Sequence, residues 1–240
     1  MPDPVQTAAL ISIGDELLRG DTVDTNKAFL AKELAARGVA VKYGLTLPDD
    51  PAVIVRELRR ILPDFDVVFT GGGIGPTPDD LTRQAVAAAF GRELVVVAAA
   101  AERYSRMTGQ PLNPGQMAMC TLPAGCEVLY CDESAAPFFR LEHVYVLPGV
   151  PKIMHWMWAS IADRFSGTPL HVARFRAAGR ESQYAALMGE FAARHPQLQF
   201  GSYPKADESG WWAEITVRGV DAAEVDRAAA EFEQGIRDLA

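Results

Sequence analysis

Positive charge is in short supply along these 240 residues: 23 Lys and Arg stand against 31 Asp and Glu, a formal net charge of −8. That balance opposes the basic surface that releases counterions from nucleic acid, so no nucleic-acid partner is expected. Residues 168–240 hold eight basic and eleven acidic side chains, and the rest of the chain holds fifteen and twenty, so neither part is a basic half. Cysteine is scarce too. Cys120, Cys126 and Cys131 share one short stretch at spacings that match no common zinc pattern, and their count is odd. Buried or half-buried thiols are expected there, with a metal or redox site as the alternative reading. No apolar run reaches the roughly 18 residues that a membrane span needs. The opening MPDPVQTAAL also lacks the basic start and apolar segment of a signal peptide. A cytoplasmic protein that meets no membrane is the expectation. Histidine is sparse, no Ser-His-Asp or Cys-His arrangement is suggested, and His171 and His195 read as structural or exposed.

What is present is a regular alternation of apolar runs and amphipathic segments. TAALISIG (7–14) reads as a buried strand ending in a turn. DTNKAFLAKELAARG (24–38) follows as a helix that Asp24 or Thr25 can cap and Gly38 can stop. A strand over 39–47 leads to a helix over 49–62, with Asp50 as cap, Pro51 at its first position, and Ile54, Leu58, Ile61 and Leu62 as its stripe. FDVVFTGGG (65–73) is the third strand. Such an order predicts an α/β domain with right-handed crossovers and a parallel sheet covered on both faces. A helix near 80–90, a helical and loop-rich region, strands over 126–131, 138–142 and 144–149, and an apolar helix over 150–165 complete it. SGTP (166–169) reads as a linker. Residues 168–240 then give a β-α-β-β-α order, so two domains are expected, 1–167 and 168–240.

Ligands of an open parallel sheet bind outside the carboxyl ends of its strands, which directs attention to three loops: GDELLRGDTVDTN, GGGIGPTPDDLT and LPGVP. Gly71, Gly72, Gly73 and Gly75 allow close approach to consecutive backbone amides, an arrangement that suits an anion beside a helix start; a plain tight turn is the other reading. No Gly-Lys-Ser/Thr follows, and the pattern is not G-x-G-x-x-G. Asp79 and Asp80 read either as helix caps with Thr77 or as ligands. The first loop adds Asp15, Glu16, Asp21 and Asp24, so up to six carboxylates would meet at one sheet edge. Hard divalent ions such as Mg²⁺ or Mn²⁺ relieve such crowding by bridging carboxylate to phosphate. Asn26 is a helix residue or a ligand contact, Thr82 a helix-surface or supporting residue. Pro148 and Gly149 form a rigid turn that a phosphate could also meet. His155, Trp156 and Trp158 are expected to pack.

Taken together, SIGDELLRGDTVDTN, TGGGIGPTPDDLT and LPGVP resemble the molybdopterin-binding domain of molybdenum-cofactor biosynthesis proteins, in its competence/damage-inducible branch. GRESQ and FGSYPK look like the small domain that follows in that branch. The resemblance implies a three-layer α/β/α fold and a homo-oligomer. It implies that Asp24 and Asp80 sit at the pterin phosphate and metal site while the glycine loop holds phosphate. On that basis Asp80, Asp24 and Glu16 are the expected catalytic set, with Asp79 as the alternative to Glu16 as a further ligand and the general base left open among them, and a divalent metal (Mg, Mn or Co) or molybdopterin is the expected cofactor. The substrate class would be a nucleotide diphosphate, ADP-ribose or FAD, or a pterin. Two departures stand out: the chain stops before the amidase domain of longer relatives, and DESAAPFF (132–139) replaces an Asn-Pro-rich, Gly-containing turn.

Overall fold

The computed structural model describes residues 7–208 and 210–239; residues 1–6, where the signal-peptide reading begins, lie outside them. The chain divides into two compact units, 1–167 and 168–240.

In the first unit, β1 (Thr7–Ile13) runs into a short helix, α1 (Asp15–Arg19), and then α2 (Thr25–Ala36), capped by Asp24. β2 (Ala40–Leu47) precedes α3 (Pro51–Ile61), where the Asp50 carboxylate accepts from the amides of Ala52 and Val53. Ile54, Leu58 and Ile61 are buried as their stripe requires, each contributing about 1.5–3 kcal/mol of apolar burial. β3 (Val67–Gly71) ends in the glycine loop before α4 (Thr82–Ala89). β4 (Leu94–Val96), α5 (Ala98–Thr108), α6 (Pro114–Met119) and β5 (Thr121–Pro123) follow, with β4 and β5 pairing antiparallel. β6 (Glu127–Cys131), β7 (Ser134–Leu141), β8 (Val144–Leu147) and α7 (Pro151–Ile161) finish the unit.

The six-stranded sheet runs β2-β1-β3-β8-β7-β6. β2, β1, β3 and β8 are mutually parallel and β7 is antiparallel to both its neighbours, so the sheet is mainly parallel. Side chains alternate across it. Leu10, Val67 and Phe69 pack with Leu30 and Leu34 of α2 and with Met154 and Trp158 of α7. Ile11, Val68 and Val146 pack on the other face with Leu58 of α3 and Val86 of α4. These two cores make the three layers. The second unit comprises β9 (His171–Ala178), α8 (Ala185–Arg194), β10 (Gln199–Asp207), β11 (Gly210–Gly219) and α9 (Ala222–Asp238). Its antiparallel sheet, ordered β10-β11-β9, packs Ala213 and Ile215 against Phe191 and Phe232. No helix among the described residues is long and apolar enough to cross a membrane.

Candidate functional site

Because β1 lies between β2 and β3, the chain leaves β1 to one side and later returns on the other, and strand order reverses between β1 and β3. A crevice opens at the carboxyl ends there. Three loops meet at it, residues 14–24, 72–81 and 148–150.

Glycine is what lets these loops touch. Gly72 has φ 107, its amide donates to the Leu147 carbonyl at 3.1 Å, and a Cβ on it would run into the carbonyl oxygen of Ile13. Gly73, at φ 68, would put a Cβ into the Thr82 hydroxyl. Both positions therefore need the left-handed region and the missing side chain at once. Thr82 is fully buried, donating its hydroxyl to the Gly72 carbonyl at 2.9 Å and its amide to that of Gly73 at 2.9 Å. Of the two readings of Thr82, helix surface and supporting residue, its burial and its hold on the glycine loop exclude the first and agree with the second. Arg83 is also buried, with Nη1 donating to the carbonyls of Ile74 and, at 3.0 Å, Gly75. Burial pushes its guanidinium pKa down, and the nearby charge of Asp80 opposes that shift. Sequence reasoning missed Arg83, since an arginine in a first helical turn carries no mark of burial.

The acidic residues divide into tied and open groups. Asp24 caps α2: Oδ1 accepts from the Lys27 amide at 3.0 Å, and Oδ2 takes the Ser12 hydroxyl at 2.5 Å and the Lys27 ammonium at 3.0 Å. Burial raises its pKa, but the Ser12 and Lys27 donors outweigh that and leave it below the usual carboxylate value. Asp80 uses only Oδ2, which accepts from the Thr77 amide at 2.8 Å and the Thr77 hydroxyl at 2.5 Å. The N-cap of α4 is Leu81, without a side-chain cap, so the helix-cap reading of Asp79 and Asp80 is replaced by a turn that Asp80 closes on itself. Asp49, at the end of β2, accepts from the Asp15 amide at 3.0 Å while Asp15 accepts from that of Asp49 at 3.3 Å. Burial first, then the charges of Asp15, Glu16 and Asp79, push the Asp49 carboxyl up. The Glu16 carboxylate accepts no hydrogen bond from the described residues and lies over Gly14, where a Cβ would stand 2.5 Å from both oxygens.

Two adjoining cavities result. The larger, about 540 Å³, is walled on one side by Gly72, Gly73, Gly75 and the acids Glu16, Asp49, Asp79 and Asp80. Its apolar lining includes Met119, Pro137, Val150, Ile153 and Met157, with Pro148 and Gly149 also in the wall, and no Lys or Arg among the described residues lines it. The smaller, about 70 Å³, is lined by Ser12, Thr22, Asp24, Thr25, Asn26 and Gly71. Ile13, Glu16 and Gly149 belong to both. Asn26 Nδ2 donates to the Gly149 carbonyl at 2.6 Å, and its Oδ1 is buried without a partner. Thr77 lines neither cavity and acts on Asp80.

The expected ligand pair of Asp24 and Asp80 is thus not assembled in one cavity, because capping turns Asp24 toward Ser12 and Lys27. Among the described residues no three His, Cys, Asp or Glu groups converge as a metal cage. All three cysteines are free, Cys120 and Cys131 buried, and burial pushes the Cys126 thiol up to about 11. Ala136 and Pro137, from the departing DESAAPFF segment, stand in the larger cavity's wall, which links that departure to what the cavity accepts.

Comparison with known proteins agrees with this fold. Residues 9–166 match the family model described as a probable molybdopterin binding domain, and residues 169–239 match the middle domain of FAD synthase. A protein of Archaeoglobus fulgidus is 33% identical over 229 residues, covering 95% of this chain and 97% of its own. A CinA-like protein of Gemmatimonas aurantiaca is 37% identical over 200 residues, 76% of this chain; the match spans 47% of that relative's length. The crystal structure of CinA from Thermoplasma acidophilum, a protein of unknown function, is similar with a TM-score of 0.63 at 32% identity, over 67% of this chain and 98% of that one.

Proposed function

The chain belongs to the family of probable molybdopterin-binding domains and is a relative of CinA-like proteins, and from that premise we propose that it is a divalent-metal-dependent pyrophosphatase of nucleotide diphosphates such as ADP-ribose or FAD. The observation that carries the reading is the larger cavity: four acidic side chains beside a glycine loop, without a lining Lys or Arg among the described residues. An anionic diphosphate enters such a site only with a cation, and hard divalent ions are held by one or two carboxylates plus substrate phosphate and water. That donor set fits the residues present, with Asp80, through its open Oδ1, and Asp79 as the protein ligands. Bound there, the ion would polarise a phosphoryl oxygen and offset developing charge.

The chain's own groups do the rest. Amides of residues 73–75 meet phosphate oxygens, and Arg83 fixes the backbone that presents them by holding the carbonyls of Ile74 and Gly75. The apolar wall takes the nucleobase or isoalloxazine ring, and the volume suits a ligand of that size. The match of the second unit to FAD synthase keeps FAD among the candidates. Purified protein incubated with ADP-ribose or FAD and Mg²⁺, Mn²⁺ or Co²⁺ is expected to release AMP. Release no greater than that of an Asp80→Asn variant with every ion would reject the reading.

A second reading, retention of molybdopterin without hydrolysis, is favoured by the family to which residues 9–166 belong. It predicts capture of molybdopterin at micromolar protein and no product from either dinucleotide.

A further inference from the structure

Resting on the pyrophosphatase reading, we propose that the smaller cavity holds the attacking water, that Glu16 is its general base, and that Asn26 orients it.

Among the acidic side chains of the three loops and Asp49, the available lone pairs differ. Asp24 has both oxygens occupied, one by an ammonium. Asp15 and Asp49 bind each other's amides. Asp21 pairs with Arg19, and Asp80 takes the Thr77 amide and hydroxyl. The carboxylates of Glu16 and Asp79 take no hydrogen bond from the described residues, and of the two only Glu16 stands in the wall common to both cavities. A general base needs a free acceptor within reach of both water and substrate.

Asn26 supplies the second acceptor. Its Nδ2 is fixed on the Gly149 carbonyl, which turns Oδ1 inward, where it is buried and unpartnered. A buried acceptor without a donor costs about 1–3 kcal/mol unless a water or ligand satisfies it. The cavity of about 70 Å³ has Ser12, Thr22, Asp24, Thr25 and Asn26 in its wall and room for about two waters at roughly 30 Å³ each. A water that donates one O–H to Asn26 Oδ1 and the other to Glu16 keeps a lone pair for the substrate phosphorus beyond Glu16. As its oxygen bonds to phosphorus, the O–H bond to Glu16 breaks and that carboxylate takes the proton. The bridging P–O bond breaks with its electron pair on the departing phosphate, and two monoesters form. Glu16 then returns the proton to the departing phosphate or to solvent.

Gly14 enters the same account, since a methyl group there would displace the Glu16 carboxylate, whose flexible end can move away without unfolding the loop. The test is steady-state hydrolysis of ADP-ribose with Mg²⁺ by the whole chain and four variants. Glu16→Gln is expected to lower kcat by about a hundredfold or more with KM changed less than about threefold, and Asn26→Ala and Gly14→Ala by about tenfold. Formate added to Glu16→Ala is expected to restore part of the rate and to leave wild type unchanged. Retention by Glu16→Gln of more than about a tenth of the wild-type kcat, or no rescue by formate, overturns the assignment while leaving the pyrophosphatase intact. A wild type that releases no AMP overturns both.

Discussion

The loops after β1 and β3 are built from similar parts and put them to different use. Each follows a parallel strand, includes glycine, carries acidic residues and ends at a helix. In the first, Asp24 spends its lone pairs on Ser12, the α2 amide and Lys27, and so becomes part of the framework. In the second, Asp80 closes its turn with one oxygen and leaves the other toward a cavity that no Lys or Arg among the described residues lines. Two aspartates of equal chemistry therefore differ in what they have left to give a ligand.

The contrast breaks first at activity. Asp80→Asn is expected to cut dinucleotide hydrolysis by about a hundredfold to a thousandfold, the scale for removing one preorganised charge-stabilising group, whereas Asp24→Asn should keep more than about a tenth of it. Steady-state rates of the two variants side by side check this. Equal losses would mean that Asp24 belongs to the reacting centre as Asp80 does.

The backbone of the second loop is the next place to press. Gly72→Ala forces a Cβ against the Ile13 carbonyl at φ 107, with an expected loss of at least about 3 kcal/mol from combined strain and collision. Gly20, also left-handed in the first loop at φ 77, has nothing near its missing Cβ, so Gly20→Ala should cost only about 1 kcal/mol. Denaturant unfolding of both variants decides whether close approach or backbone conformation dominates. Arg83→Met is expected to cost about 2 kcal/mol by freeing two carbonyls from a charged donor, and to raise KM for the dinucleotide as the loop amides lose their fixed direction.

How much of this was legible in the sequence follows the range of each interaction. β1, β2, β3 and α3 came directly from period and caps, because Asp50, Pro51 and the Ile54–Leu58–Ile61 stripe act within one helix. The three-loop site was legible as well, since parallel topology sends the carboxyl ends of β1, β3 and β8 to one edge. Pairing of β4 with β5 was not, because Leu94 meets Pro123 across an intervening pair of helices. Nor was the separation of Asp24 from Asp80: a cap and a ligand share the same letter, and only the Ser12 and Lys27 contacts distinguish them. The burial of Thr82 and Arg83 depends on the glycine loop folding back over α4, which local pattern does not encode.

The smallest expected effect belongs to Asp24 and appears with pH. Its folded pKa lies below the unfolded value, since the Ser12 and Lys27 donors outweigh burial. The stabilisation is then complete above about pH 4 and is lost as pH falls through the folded pKa. Asp24→Asn should flatten that acid limb and change stability at neutral pH by less than about 1 kcal/mol, since asparagine also caps and the Lys27 pair is partly exposed. Unfolding curves between about pH 2 and 7 measure it.

Calorimetric titration of the whole chain with a non-hydrolysable α,β-methylene analogue of ADP-ribose, in Mg²⁺ and again in EDTA, tests the central claim most directly. If a cation joins the acids of the β3 loop to phosphate, binding in Mg²⁺ will exceed binding in EDTA by about tenfold or more, and Asp80→Asn will abolish the difference. Equal affinity in Mg²⁺ and EDTA would contradict the account.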